Sequence, residues 1–281
     1  MMLHLNQKYI LILLYCVFML PLTHCAQQGT LFPHSANKDQ ANISENNKSP
    51  EELEREATEL QAKRSFADAA TRYRQLLEKQ PQNQKAQLGL ADMQRLAGQY
   101  DSAQTSYDAL IRELEKTVLT QKQAETNGML SAAKEGKALT YVQQGQCAKA
   151  IPLFETILAL DASRWRTLNA IATCLALTKR PNDALTYLNL AEELSDDRWA
   201  ILNNRATTLL INGKIDEAKR ILRTALSQLD NNHPHRPRFA LNLAIAEAKS
   251  GNRAEAEQVL NRYAPELRQA SETLLRNLAP M

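Results

Sequence analysis

Glycine and proline are scarce, 8 and 10 in 281 residues. A β-rich fold uses both in its many tight turns, so their scarcity points toward long helices. An excess of one charge is also lacking. Thirty-four Lys and Arg stand against 31 Asp and Glu, a net of +3 with the signs interleaved. That leaves neither the basic footprint of a nucleic-acid binder nor a polybasic stretch that would hold an anionic membrane. Catalytic signatures are missing: there is no HExxH, no paired CxxC, no P-loop and no GxGxxG. The chain therefore reads as non-enzymatic, with no cofactor and no metal. His233-Pro234-His235 is the sharpest metal candidate, but it falls in a short excess between two repeats and reads as a solvated loop. Tyr and Arg are scattered and build no stacking platform for a nucleic-acid strand.

The N-terminus stands apart. Lys8 precedes an apolar run from Tyr9 to Leu20, too short to span a membrane comfortably but suited to a signal-peptide core. Leu22-Thr23-His24-Cys25 then resembles a bacterial lipobox, with His24 in place of the usual small residue. The resemblance implies a lipoprotein-type signal peptide over 1–24 and an acylated Cys25. Ala26, rather than Asp, after the Cys implies sorting to the periplasmic face of the outer membrane, held by the N-terminal lipid alone. Ordinary cleavage near Ala26 or an uncleaved anchor is the alternative. Residues 25–50, rich in Gln, Asn, Ser and Lys, read as a disordered tether, with a reach of about 25–30 Å. Cys16 and Cys25 belong to this leader. Cys147 and Cys174 sit inside helical patterns, where a cysteine is more often a small apolar filler, although an oxidising periplasm would permit a bridge.

From residue 51 onward the chain repeats. Six alanines, Ala69, Ala103, Ala150, Ala184, Ala218 and Ala256, each follow another by 12 residues: Ala57, Ala91, Ala138, Ala172, Ala206 and Ala244. The steps between units are 34, 47, 34, 34 and 38 residues. This is the pattern of the tetratricopeptide repeat (TPR), in which repeat positions 8 and 20 are small because the two helices of a unit cross there. Four residues after each position-20 Ala stands a large side chain, Tyr73, Tyr107, Phe154, Leu188, Leu222 or Leu260, expected to fill the space between units. Gly98, Gly145, Gly213 and Gly251 recur at the turn, and Lys179-Arg180-Pro181 replaces the glycine in the fourth unit. The sequence thus predicts an all-α TPR superhelical solenoid of about six helix-turn-helix repeats, near 50–83, 84–117, 131–164, 165–198, 199–232 and 237–270. Residues 118–130 are expected as extra turns of the neighbouring helices. Glu266 to Leu278 is expected as a C-terminal capping helix.

In such repeats the concave groove is lined by the first helix of each unit. Arg166 and Arg238 fall at position 2, Asn169 and Asn203 at position 5, Asn204 and Asn242 at position 6. An Asn amide donates and accepts, so it suits the backbone of an extended partner segment; an Arg suits a carboxylate. Solvated Asn with no partner is the alternative. Thr207, Leu210, Ile211 and Ile245, and Leu88 and Leu139 nearer the N-terminus, are expected to hold partner side chains.

The fourth and fifth units share a longer signature. Arg164-Trp165-x-x-Leu168-Asn169-x-x-Ala172-Thr173 matches Arg198-Trp199-x-x-Leu202-Asn203-x-x-Ala206-Thr207. Over about residues 55–262, and most clearly over 160–262, the chain resembles the TadD-like TPR lipoproteins of tight-adherence (Flp-type) pilus assembly. The resemblance implies a scaffold that helps a pilus secretion pore, the secretin, to assemble. Other outer-membrane TPR lipoproteins, such as a type IV pilotin or an outer-membrane assembly cofactor, and a TPR activator of a cell-wall enzyme, stay open.

Overall fold

The computed structural model describes residues 48–120 and 124–267. The leader with Cys25 and most of the expected capping helix lie outside them. Among the described residues there are twelve α-helices and no strand. The helices are α1 (Pro50–Ala62), α2 (Phe66–Lys79), α3 (Gln84–Leu96), α4 (Tyr100–Thr120), α5 (Ala124–Gln143), α6 (Cys147–Leu160), α7 (Trp165–Leu177), α8 (Pro181–Leu194), α9 (Arg198–Ile211), α10 (Ile215–Gln228), α11 (Arg236–Lys249) and α12 (Arg253–Tyr263), followed by a 3₁₀ turn at Pro265–Leu267. The fold is an all-helical solenoid of helix-turn-helix repeats. Ser49 opens the first with a capping box, its hydroxyl accepting from Glu52 N while the Glu52 carboxylate accepts from Ser49 N. The described part of the 13-residue excess of the second repeat step is helical. The α4 and α5 helices run for 21 and 20 residues, where α1 has 13 and α6 has 14.

The small-residue skeleton is wholly interior. Ala57, Ala69, Ala91, Ala103, Ala138, Ala150, Ala172, Ala184, Ala206, Ala218, Ala244 and Ala256 are each 0% exposed. A methyl at each of these points lets helices approach closely. The turns share one geometry. Gly98, Gly145, Gly213 and Gly251 have φ between +71° and +83°, and Arg64 (+61°) and Lys179 (+64°) adopt the same left-handed conformation. The replaced glycine of the fourth unit therefore leaves the turn unchanged. Lys179 N donates to Ala176 O and Arg180 N to Leu175 O, as Gly98 N does to Arg95 O and Gln99 N to Gln94 O. The side chain at this φ costs about 1–2 kcal/mol.

The described residues divide into two compact units, 48–140 and 141–267. In the first, consecutive repeats meet through an aromatic ring and a glycine. A Cβ on Gly89 would lie 2.6 Å from the Tyr73 ring, and one on Gly136 would run into the Tyr107 ring. The Tyr107 hydroxyl, fully buried, donates to Asp92 Oδ1 at 2.6 Å and accepts from Arg95 Nε at 3.3 Å. Burial, with the Asp92 carboxylate beside it, pushes this phenol far above its ordinary range, so it stays a neutral donor.

In the second unit the core gathers on α9 to α12. Ten consecutive residues of α11, Phe239 to Ala248, are buried. One is charged. Glu247, 1% exposed, accepts from Arg223 at 2.6 Å and Asn252 Nδ2 at 3.2 Å, with Lys219 Nζ at 3.5 Å. Cys147, the first residue of α6, and Cys174 of α7 are joined by a disulfide, with Cα atoms 5.2 Å apart. Both are buried. The filler expectation for these cysteines is thus corrected: the helix start of one repeat meets the middle of the next repeat's first helix within bridging distance.

Candidate protein-binding face

The first helices α7, α9 and α11 carry the residues singled out in the sequence, and each touches the next. Asp197 caps α9, its side chain accepting from Ala200 N. His235, just before α11, places Nε2 3.2 Å from the same Asp197, and the His233 ring meets Trp199 edge-on at 6.0 Å. Among the described residues no three His, Cys, Asp or Glu side chains are grouped to hold a metal ion.

The asparagines pair with one another. Asn204 Nδ2 donates to Asn169 Oδ1 at 2.7 Å, and Asn242 Nδ2 donates to Asn203 Oδ1 at 2.9 Å. The same rule operates twice: position 6 of one repeat donates to position 5 of the repeat before it. Thr207 extends the second rung, accepting from Asn242 at 3.2 Å and donating back to Asn203 O at 3.0 Å. Asn203, Asn204, Thr207 and Asn242 are only 5%, 8%, 4% and 2% exposed, while Asn169 is half-buried. The first rung spends one donor and one lone pair, and Asn169 keeps both N–H donors. The ladder thus sets the register of three first helices as well as offering polar groups.

Arg166 is open, its side chain 66% exposed, 4.3 Å over the Trp165 ring and 3.8 Å from Asp196. Arg238, partly exposed, stands near the start of α11. Leu210 and Ile245 are 1% and 0% exposed and belong to the core. They line no groove, because burial wraps round α9 and α11 on more than one side. Sequence reasoning missed Gly89, Gly136 and Glu247. The glycines had a signal, since both stand two residues before a position-8 Ala and each follows a unit whose large residue is Tyr.

Profiles of the tetratricopeptide repeat match residues 55–116, 136–198 and 209–278. The chain belongs to the tetratricopeptide-repeat family. No curated protein matches it. Among solved structures, it is similar to a thermophilic TPR protein of Thermus thermophilus, at 20% identity and TM-score 0.52, with 69% of this chain and 99% of that one covered. It is also similar to BtubC of P. vanneervenii, at 19% identity and TM-score 0.54, with 78% and 92% covered. At such identities these likenesses speak for the TPR fold alone. This TPR chain is a protein-interaction scaffold, and no catalytic family is indicated.

Proposed function

We propose that this TPR chain is an envelope lipoprotein, acylated at Cys25, whose α7, α9 and α11 face holds an extended segment of a secretin or another pilus-assembly protein. The observation that carries the binding face is the Asn169–Asn204 rung, which leaves both donors of a half-exposed amide unspent beside an open Arg166. A partner backbone would take the amide donors, and a partner carboxylate the guanidinium. The buried Cys147–Cys174 bridge supports a compartment outside the cytosol, since such bridges form and persist where conditions are oxidising. The lipobox-like leader and the resemblance to tight-adherence lipoproteins support the same placement.

The test combines Arg166→Ala with Asn169→Asp, which removes both amide donors while a carboxylate oxygen can still accept from Asn204 Nδ2, so the fold should stay intact. A secretin recovered with the wild type from detergent-treated membranes should bind the variant about tenfold or more weakly, with no change in thermal melt. Equal affinity would place the partner elsewhere. Labelling with a palmitate analogue should mark the wild type and not Cys25→Ala; an unlabelled wild type would remove the anchor from the reading.

A further inference from the structure

The bridge between Cys147 and Cys174 lies inside the protein, the two residues being 2% and 0% exposed. Making such a bond takes two electrons and two protons from a pair of thiols, so the chain has to meet an oxidant. In thiol–disulfide exchange the incoming disulfide must reach one of the two sulfurs directly. With α6 and α7 closed on each other, neither sulfur offers that approach. The pair is close in sequence, at a separation of 27, and no other cysteine stands between. Joining it asks only for the closure of a short loop.

The two positions are not equivalent. Cys147 is the first residue of α6, and the N–H groups at a helix start favour a thiolate. Nothing on α6 offsets that end: the N-cap Gln146 makes no side-chain cap, and the first turn holds no acid. Cys174 sits in the second half of α7, beside the buried Ile171, Ala172 and Leu175. Its helix touches α6, α8 and α9. Apolar surroundings of that kind favour the neutral thiol. Cys147 is thus the better nucleophile while the repeats are still open, and Cys174 arrives with α7.

We infer that Cys147 and Cys174 are the substrate pair of a disulfide oxidant, which acts before α7 docks on α6 and is taken up first by Cys147. The Cys147 thiol gives its proton to water, and the thiolate attacks one sulfur of the oxidant. The oxidant's other sulfur leaves as a thiolate. The Cys174 thiol then loses its proton, and its thiolate attacks the Cys147 sulfur of the mixed disulfide. The second oxidant sulfur leaves, so the pair is oxidised and the oxidant ends as two thiols. A small disulfide and an oxidised Cys-X-X-Cys protein share this chemistry. The inference depends neither on the proposed groove partner nor on acylation of Cys25.

The test uses the full chain with Cys16→Ser and Cys25→Ser, so that one pair of thiols remains. The chain is reduced and unfolded, then refolded with oxidised glutathione present from the start or added after the helical signal has returned. Alkylation of free thiols and mass spectrometry follow the bridge. Late addition should bridge the chain about tenfold or more slowly, and mild urea should restore the rate by opening the repeats. An oxidised Cys-X-X-Cys oxidoreductase run in parallel should show the same dependence, and the faster of the two oxidants names the source. Adding Cys174→Ser or Cys147→Ser leaves one thiol each. Glutathione should join Cys147 about threefold or more faster than Cys174 during refolding. Equal early and late rates on a reduced chain that melts cooperatively overturn the timing, and equal or reversed adduct rates overturn the order. A reduced chain that regains no melt supports the timing, because the fold then waits on the bridge. A folded, bridged chain that a dithiol reduces as fast as an unfolded one overturns the inference, because the sulfurs are then open to exchange.

Discussion

The two units share one alanine skeleton and solve the contact between repeats in opposite ways. In 48–140 a tyrosine ring presses on a glycine of the next repeat: Tyr73 on Gly89 and Tyr107 on Gly136. Each glycine costs its helix about 1 kcal/mol, which an aromatic ring offsets by the large area it buries. In 141–267 the first large residue is still aromatic, Phe154, with Ala170 at the repeat position held by Gly89 and Gly136; the next two shrink to Leu188 and Leu222, and that position is then held by Asn204 and Asn242. There the repeats are tied by amide rungs, a buried carboxylate and a disulfide. A ring that fills the space over position 6 leaves no room for a side chain there. A smaller leucine goes with a polar group at that position, which reaches across to the neighbouring first helix. The position-6 amides thus appear only where the preceding large residue is a leucine.

The largest effect should come from stripping Glu247 of its cations. Lys219→Ala with Arg223→Ala leaves a carboxylate 1% exposed with only Asn252 beside it. The loss should be about 3–5 kcal/mol, read as a fall in urea midpoint. Adding Glu247→Leu should restore much of it, because the stranded charge goes too. Next comes the bridge. Cys147→Ser with Cys174→Ser frees a loop of 27 residues' separation and should cost about 3–4 kcal/mol. Hydrogen exchange should report the loss in 141–267 and leave the amides of 48–140 as protected as before; equal loss in both would erase the distinction between the units.

A smaller effect tests the ring-and-glycine contact directly. Gly136→Ala should overpack Tyr107 and cost about 1–3 kcal/mol. In a double-mutant cycle Tyr107→Leu should relieve part of that cost, moving the contact toward the style of the second unit. The smallest effect belongs to a rung. Asn203→Ala should cost about 1–2 kcal/mol by leaving the buried Asn242 amide with fewer partners. The double variant with Asn242→Ala should cost less than the sum of the two singles, measured by thermal melts.

The alanine skeleton was legible because helix crossings demand small residues at fixed local spacing, and spacing is what a sequence displays. The turns were legible for the same reason, save that Lys179 accepts the left-handed φ usually left to glycine. What escaped depends on partners far apart in sequence. Asn169 and Asn203 were placed correctly on first helices, but nothing in the chain announces that their mates stand 35 and 39 residues away. Cys147 and Cys174 read as filler because each fits an apolar position of its own helix. Glu247 carried a faint signal, a lone acid in the run RFALNLAIAEAK, but its cations lie on the preceding helix.

The tyrosine and glycine pairs also give the repeats a fixed order. The second repeat brings Gly89 and ends its contact set with Tyr107, so a tandem copy of it would meet itself without conflict. The fifth brings Asn203, Asn204 and Leu222, and a copy of it would likewise fit behind its parent. Exchanging the two is another matter: Leu188 would face a glycine and leave a void, while Tyr73 would face an asparagine and collide. Neighbouring repeats are therefore matched like adjoining links of unequal gauge. Such an array can grow by duplicating a link in place, but it cannot be shuffled.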